Sequence, residues 1–505
     1  GRLPNQTAPL LLVGNFIDHT VTVHVIAADG RLGAPIQTLR TEAPVLDLLV
    51  AGEGARAALL LFTHEDRAVS RARGPVEGLD SGVLRLGAGG GAGAAPFADP
   101  GPGRRAFLNL GERKAPAIEL AAAAADGARI AVVGAGNDVL LISDAGGDLA
   151  AGATVAVGAN PSAVAALPDG RFVTADRLGD TLSFVDTGTL RGFPNPPATD
   201  SARQAELRPR VAGGQVTSTL AVGARARPTL AERGELLFYS RALVPNNVAD
   251  GPLSLYTCAA CHDDGHVDGR RHPAKRNRFF SMTESCRGLA TTAPYLNLGD
   301  PETIDAFADN IVATHAQGAE RDPNGFASYP VTLAAGRAAD GELVLSPAEV
   351  RAALAAYMAV IPPEPSPFVA PGRRALAPAA RRGLALFRDG CAGCHQLVGN
   401  TALGNTVPAA ALERRLLARE VALTSALRYA VGTPVLGEGG NNPPSLRGVW
   451  DAAPYFSDGS ARTLEEVLRR TNPDAPAVHA PENATRPPAF TADERAELLS
   501  FLRSL

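Results

Sequence analysis

Lysine is almost absent: among 48 basic residues only Lys114 and Lys275 are lysines. With a net charge of −4, the chain gives no reason to expect nucleic acid or an anionic membrane as partner. No apolar run reaches the roughly 18 residues of a membrane span; the alanine-rich stretch 118–133 is broken by Asp126 and Arg129. Tryptophan occurs once, at Trp450, and methionine only at Met282 and Met358. The five cysteines do not form a disulfide framework, because four of them make two C-x-x-C pairs. Cys286 is left over and is expected to be a buried free thiol.

What is present is enough sequence for about three domains. Hydrophobic residues make up 45% and charged residues 20% of the 505, ordinary values for packed cores. The chain starts at Gly1, which sets the expectation of a processed N-terminus and a lost signal peptide.

Up to about residue 226, short apolar alternations are separated by Gly, Asp and Pro turns, the pattern of β-strands. Asp138-Val-Leu-Leu-Ile-Ser-Asp144 matches Asp180-Thr-Leu-Ser-Phe-Val-Asp186, and His19-Thr-Val-Thr-Val-His24 is a weaker copy. Ala159-Asn-Pro and Pro168-Asp-Gly-Arg171 lie between the stronger copies. A period of about 42 residues with several short strands is that of a propeller blade. These residues resemble the YVTN-type β-propeller repeat. The length corresponds to about five blades, or seven if blades are shortened. The Gly- and Ala-rich run 87–96 reads as a loop.

After Pro228 helices take over, and a second repeat appears. Arg233-Gly-Glu-Leu-Leu-Phe238 recurs as Arg382-Gly-Leu-Ala-Leu-Phe387. Cys258-Ala-Ala-Cys-His262 recurs as Cys391-Ala-Gly-Cys-His395, and Ser285-x-Arg-Gly…Ala-Pro-Tyr295 as Ser445-x-Arg-Gly…Ala-Pro-Tyr455. Each half closes with a capping box, Ser346/Glu349 and Thr491/Glu494. Matching landmarks in one order mean a duplicated domain, with the Pro-rich stretch 362–372 as linker. The expected organisation is an all-β propeller over 1–226 and two mainly α cytochrome c-type domains over 227–366 and 371–505.

C-x-x-C-H is the pattern of covalent haem attachment. Two cysteines form thioethers on one porphyrin edge, and the next residue, histidine, ligates the iron. Zinc also uses C-x2-C, but both pairs here are followed by histidine and preceded by an amphipathic helix. Two haem c groups are therefore expected, on Cys258, Cys261 and His262 and on Cys391, Cys394 and His395. Such attachment takes place outside the cytoplasm, so the protein is expected in the periplasm, on the cell surface or secreted.

Function then depends on the opposite face of each iron. The second half has no methionine, and its one further histidine, His479, is the proposed second ligand; Tyr429 and Tyr455 are the alternatives. For the first iron, Met282, His266 and His272 are candidate ligands. Beyond the helix expected over 301–312, His315, Gln317 and Glu320 are candidates for moving the proton that peroxide cleavage requires at an open iron.

Over 228–505, the paired C-x-x-C-H and S-x-R-G…A-P-Y motifs, with Phe456-Ser-Asp-Gly459 and Thr463-Leu-Glu-Glu466, resemble the bacterial di-haem cytochrome c peroxidase and MauG superfamily. The resemblance implies a peroxide-reacting haem on His262, an electron-relay haem on His395, and a calcium ion between the cytochrome domains, for which no ligands are assignable. The family's methionine or tyrosine ligand position holds Thr471, and its inter-haem tryptophan position holds Asn297. The expected activity is that of a di-haem peroxidase or peroxide-dependent oxidase. Its partners would be hydrogen peroxide or another small oxidant and an electron-donor protein or protein substrate. A non-catalytic di-haem electron carrier with a propeller binding module is the alternative, and a di-haem oxygenase the third reading. Histidines at 19, 24 and 64 mark a further metal-binding option in the strands.

Overall fold

The computed structural model describes residues 8–41, 43–52, 57–66, 79–89, 95–99, 107–109, 119–145, 153–187, 216–222, 228–240, 243, 257–274, 279–312, 331–334, 342–372, 375–398, 401–402, 407–425, 427–429, 440–472, 474, 479 and 489–505.

Fifteen strands in the first part of the described chain form four antiparallel meanders. The first joins β1 (Leu10–Asn15), β2 (Thr20–Ile26) and β3 (Leu32–Arg40). The second joins β4 (Val45–Ala51), β5 (Ala58–Asp66), β6 (Leu79–Gly87) and β7 (Phe107–Asn109). The third runs through β8 (Leu120–Ala125), β9 (Arg129–Gly134), β10 (Val139–Asp144) and β11 (Ala153–Ala156). The fourth runs through β12 (Pro161–Ala166), β13 (Phe172–Asp176), β14 (Thr181–Val185) and β15 (Val216–Ala221).

Side-chain alternation along a strand sends successive residues to opposite faces, and here both faces are covered. Ile130 and Val132 pack with Leu60 and Phe62 of the second sheet. Ala131 and Val133, one residue out of phase, pack with Phe172 and Val185 of the fourth. The first strands of neighbouring sheets touch, β4 against β8 and β8 against β12. The sequence repeat corresponds to a real hairpin: His19, Asp138 and Asp180 each adopt positive φ, at 51°, 58° and 51°, just before β2, β10 and β14. These blade-like sheets number four among the described residues, against the five read from the repeat length.

The helices are α1 (Leu230–Phe238), α2 (Ile304–Ile311), α3 (Pro347–Val360), α4 (Pro378–Gly390), α5 (Ala409–Leu417), α6 (Leu464–Arg469) and α7 (Ala492–Leu502). They fall into two cores, one around α1 and α3, the other around α4 and α7. Both expected capping boxes form, and a third, Thr229/Glu232, opens α1.

The duplication is visible atom by atom. Gly234 sits where a Cβ would lie 2.0 Å from the Ala353 carbonyl oxygen of α3; at Gly383 the same atom would lie 2.1 Å from that of Glu497 in α7. Only glycine lets the backbones approach this closely. The Tyr295 hydroxyl donates to Leu289 O and that of Tyr455 to Val449 O, both at 2.8 Å. Contacts between the halves come in symmetric pairs. Met282 N donates to Ser457 O and Asn442 N to Asn297 O, both at 2.9 Å. Arg287 faces Asp451 at 3.8 Å, while Arg447 donates to Thr291 Oγ1. Reciprocal contacts of equivalent residues are the mark of a two-fold relation.

Candidate functional site

In both halves the last turns of the helix before the C-x-x-C-H motif carry a phenylalanine that packs against the motif histidine. The Phe238 and His262 ring centroids are 6.4 Å apart at 47°. Those of Phe387 and His395 are 6.2 Å apart, also at 47°. The four motif cysteines are free, half-buried thiols, and Cys286 is a buried one. Burial, then the neighbouring Cys261, pushes the Cys258 thiol up to about 12; burial and Cys394 do the same to Cys391.

The second site is well organised. His395 is buried, and its Nδ1–H donates to Leu423 O at 3.0 Å, which leaves Nε2 as the metal-binding nitrogen. His479 stands near it. Burial first, then the charge of His395 and of Arg470, pushes its imidazole down to about 4. Its Nδ1 is buried without a hydrogen-bond partner, its backbone N donates to Arg470 O at 2.8 Å, and its ring meets Phe456 at 5.2 Å. A neutral, half-buried imidazole with an unsatisfied nitrogen near a second imidazole suits a metal ligand. The two tyrosine alternatives are engaged: Tyr455 donates to Val449 O, and Tyr429 to Gly393 O at 3.4 Å. Thr471 is buried and donates to Leu468 O at 2.7 Å.

At the first site the named candidates are tied to protein groups. His266 accepts from Ser285 Oγ at 2.7 Å through Nδ1 and donates through Nε2 to Asp451 O at 3.0 Å. His272 Nε2 lies 2.5 Å from Asp268 Oδ2. Met282 reaches across to the second half, where its sulfur would lie 2.6 Å from a Cβ at Gly459. His315, Gln317 and Glu320 lie outside the described residues. Asn297 stands at the seam between the halves and donates to Ser281 Oγ at 3.1 Å, while Trp450 packs on Phe368 of the linker.

Sequence reasoning missed two features. Asp268, buried, is held at about 2: burial pushes it up, but the His272 hydrogen bond and the His272 and Arg270 charges outweigh that. Asp268, His272 and Cys261 form the one three-donor group among the described residues. Its thiol belongs to an attachment motif, so it does not serve the calcium ion expected between the domains. The second feature is Glu119, just before β8. Its Oε1 is buried without a partner, and burial, then Asp263, raises its carboxyl well above the usual range. Its charge also acts on Cys258, so the sheets bear directly on the first attachment loop. Of the strand histidines, His24 bonds to Gly33 O and Thr22 Oγ1, both at 3.0 Å, and burial lowers His19. Nothing about the His64 side chain is described.

Comparison with known proteins places a cytochrome c family match over residues 380–505. No curated protein matches the chain. Among solved structures, hydrazine synthase of Kuenenia stuttgartiensis is 19% identical with a TM-score of 0.37, covering 57% of this chain and 99% of that one. A MauG-like protein associated with microbial copper homeostasis is 20% identical with a TM-score of 0.35, over 57% and 91%. A variant of the dihaem peroxidase BthA from Burkholderia thailandensis is 18% identical with a TM-score of 0.34, over 58% and 90%. Residues 380–505 are thus a cytochrome c domain, which implies a covalently bound haem c. No described helix is long and apolar enough to cross a membrane.

Proposed function

We propose that the chain is an exported di-haem c-type peroxidase or peroxide-dependent oxidase. The observation that carries this reading is an asymmetry within the duplication. The second half sets His479, its imidazole pushed down by burial, beside His395, whereas His266 and Met282 at the first half are held by Ser285, Asp451 and the Gly459 turn. The sites would be Cys258, Cys261 and His262 in the domain at 227–366 and Cys391, Cys394 and His395 in that at 371–505. Bound haem c would supply redox-active iron, for reaction with a small oxidant at the His262 site and for electron transfer at the His395 site.

The protein's own groups then divide the work. Leu423 O orients His395, and Phe238 and Phe387 brace the two motif histidines. His479 closes the second site. His315, Gln317 and Glu320 are the proposed groups for moving protons at the first. Electrons would enter from a donor protein or a protein substrate.

The test is spectroscopic. The ferric holoprotein should show one high-spin and one low-spin component, and peroxide should change the Soret band within seconds. His479→Ala should convert the low-spin component and leave the high-spin one. Two low-spin signals inert to peroxide would instead make the protein an electron carrier and sink the proposal.

A further inference from the structure

We propose that Tyr239 and Tyr357 form a redox relay that carries an oxidising equivalent from the first haem site outward to the junction with the β-sheets. The proposal builds on the peroxide reading above.

The geometry is a short chain of rings. His262 packs against Phe238 at 6.4 Å, and Phe238 packs edge-on against both Tyr239 at 5.2 Å and Tyr357 at 5.3 Å. The two tyrosine rings are 6.4 Å apart, edge to face. The chain ends at the sheets: the Arg177 guanidinium, one residue past β13, lies 4.1 Å from the Tyr239 ring centroid and pairs with Glu235 at 3.3 Å. Ala159 and Leu178, also from the sheet region, pack into the same core.

The duplication supplies the internal control. Tyr357 crosses Gly234 as Phe501 crosses Gly383. Tyr239 follows Phe238 as Arg388 follows Phe387. The second half thus keeps the same frame with a phenylalanine and an arginine where the first half has two oxidisable phenols. Packing alone does not require the hydroxyls. Tyr295 and Tyr455 differ in kind, because each donates its hydroxyl to a backbone carbonyl.

The step balances as follows. Peroxide supplies the oxidising equivalent at the first haem site. One electron leaves the phenol pair for that site by way of Phe238 and His262. The phenolic O–H bond breaks, and its proton passes to the Glu235 carboxylate, which pairs with the Arg177 guanidinium that lies on the Tyr239 ring. A neutral tyrosyl radical remains. An external one-electron donor at the junction returns the electron, and Glu235 returns the proton.

The experiment uses the full-length holoprotein, wild type and the double variant Tyr239→Phe/Tyr357→Phe. Phe501 shows that the crossing accommodates phenylalanine, and haem content and circular dichroism verify folding. After peroxide is added and the sample frozen, EPR should show a tyrosyl radical in the wild type that falls to background in the double variant. A Soret change with no tyrosyl radical, or with the radical undiminished in the variant, overturns the relay. If peroxide leaves the Soret band unchanged, the peroxidase reading falls. Photo-oxidation with a ruthenium(III) polypyridyl complex then decides the relay: the variant must lose most of the tyrosyl signal, and an equal signal in both proteins refutes it.

Discussion

In the first attachment loop Ala259 and Ala260 are 7% and 6% exposed, and Ala159 and Leu178 of the sheets join the core beneath them. In the second loop the matching Gly393 is exposed, and a Cβ there would meet nothing within 4 Å. The same five-residue motif is thus roofed in one half and open in the other. Their arginines differ in the same way. Arg287 reaches the carboxylates of Asp264 and Asp451, whereas burial first, then the charge of Arg419, weakens the hold of Arg447 on its proton. The duplication preserved the frame around the C-x-x-C-H motif and let its surroundings diverge. On the proposed reading, the second site is the one that a donor protein can approach, and the first is screened by the sheets.

The frame is best tested where the halves are most alike. Gly234→Ala and Gly383→Ala each place a methyl on a backbone carbonyl of the crossing helix. The helices must separate, at a cost of about 3 kcal/mol in either half. Denaturant unfolding of the two variants should give matched losses, with Gly393→Ala close to wild type. A large loss in one half alone would show that the crossings are not equivalent.

Asp268 separates the halves, because the second motif is followed by Gln396-Leu-Val-Gly-Asn400 and offers no such acid. Its carboxyl is held at about 2, below the usual 3.8. A group depressed in the folded state stabilises above its ordinary value, and that stability is lost as pH falls through the folded one. The loss should therefore run from about pH 4 down to about pH 2 and amount to about 2 kcal/mol. Asp268→Asn should be weaker than wild type at neutral pH, and the gap should close on acidification. A gap that stays constant with pH would mean that the carboxylate charge is not what matters.

The capped helices were legible in the sequence because each cap depends on residues close together in the chain. The blade hairpins were legible for the same reason: a turn residue at positive φ followed by alternating apolar side chains recurs at 19, 138 and 180. The proposed pairing of His479 with His395 rests on the scarcity of other ligands, not on spacing. Contacts between regions were hidden. Arg177 on Tyr239, Glu119 near Cys258 and Met282 on Gly459 each join segments far apart in sequence. A partial signal for the first existed in the repeat itself, where Phe238-Tyr239 aligns with Phe387-Arg388. A tyrosine lost from one copy and kept in the other is a reason to look for chemistry at that position.

The smallest expected difference lies in the closing helices. Ser346 and Glu349 exchange bonds of 2.9 Å and 3.3 Å at the start of α3; Thr491 and Glu494 exchange bonds of 2.7 Å and 3.3 Å at the start of α7. Each cap satisfies backbone N–H groups that the helix leaves unpaired, and replacing the cap by alanine costs about 1 kcal/mol. The first helix has a further aid, since Pro347 at its first position holds φ near the helical value and has no N–H to satisfy. The second starts with Ala492 and relies on its cap alone. Thr491→Ala should therefore destabilise more than Ser346→Ala in urea unfolding, by a few tenths of a kcal/mol. Equal losses would mean that Pro347 adds nothing to the start of its helix, and that the two termini are as alike as the glycine crossings beneath them.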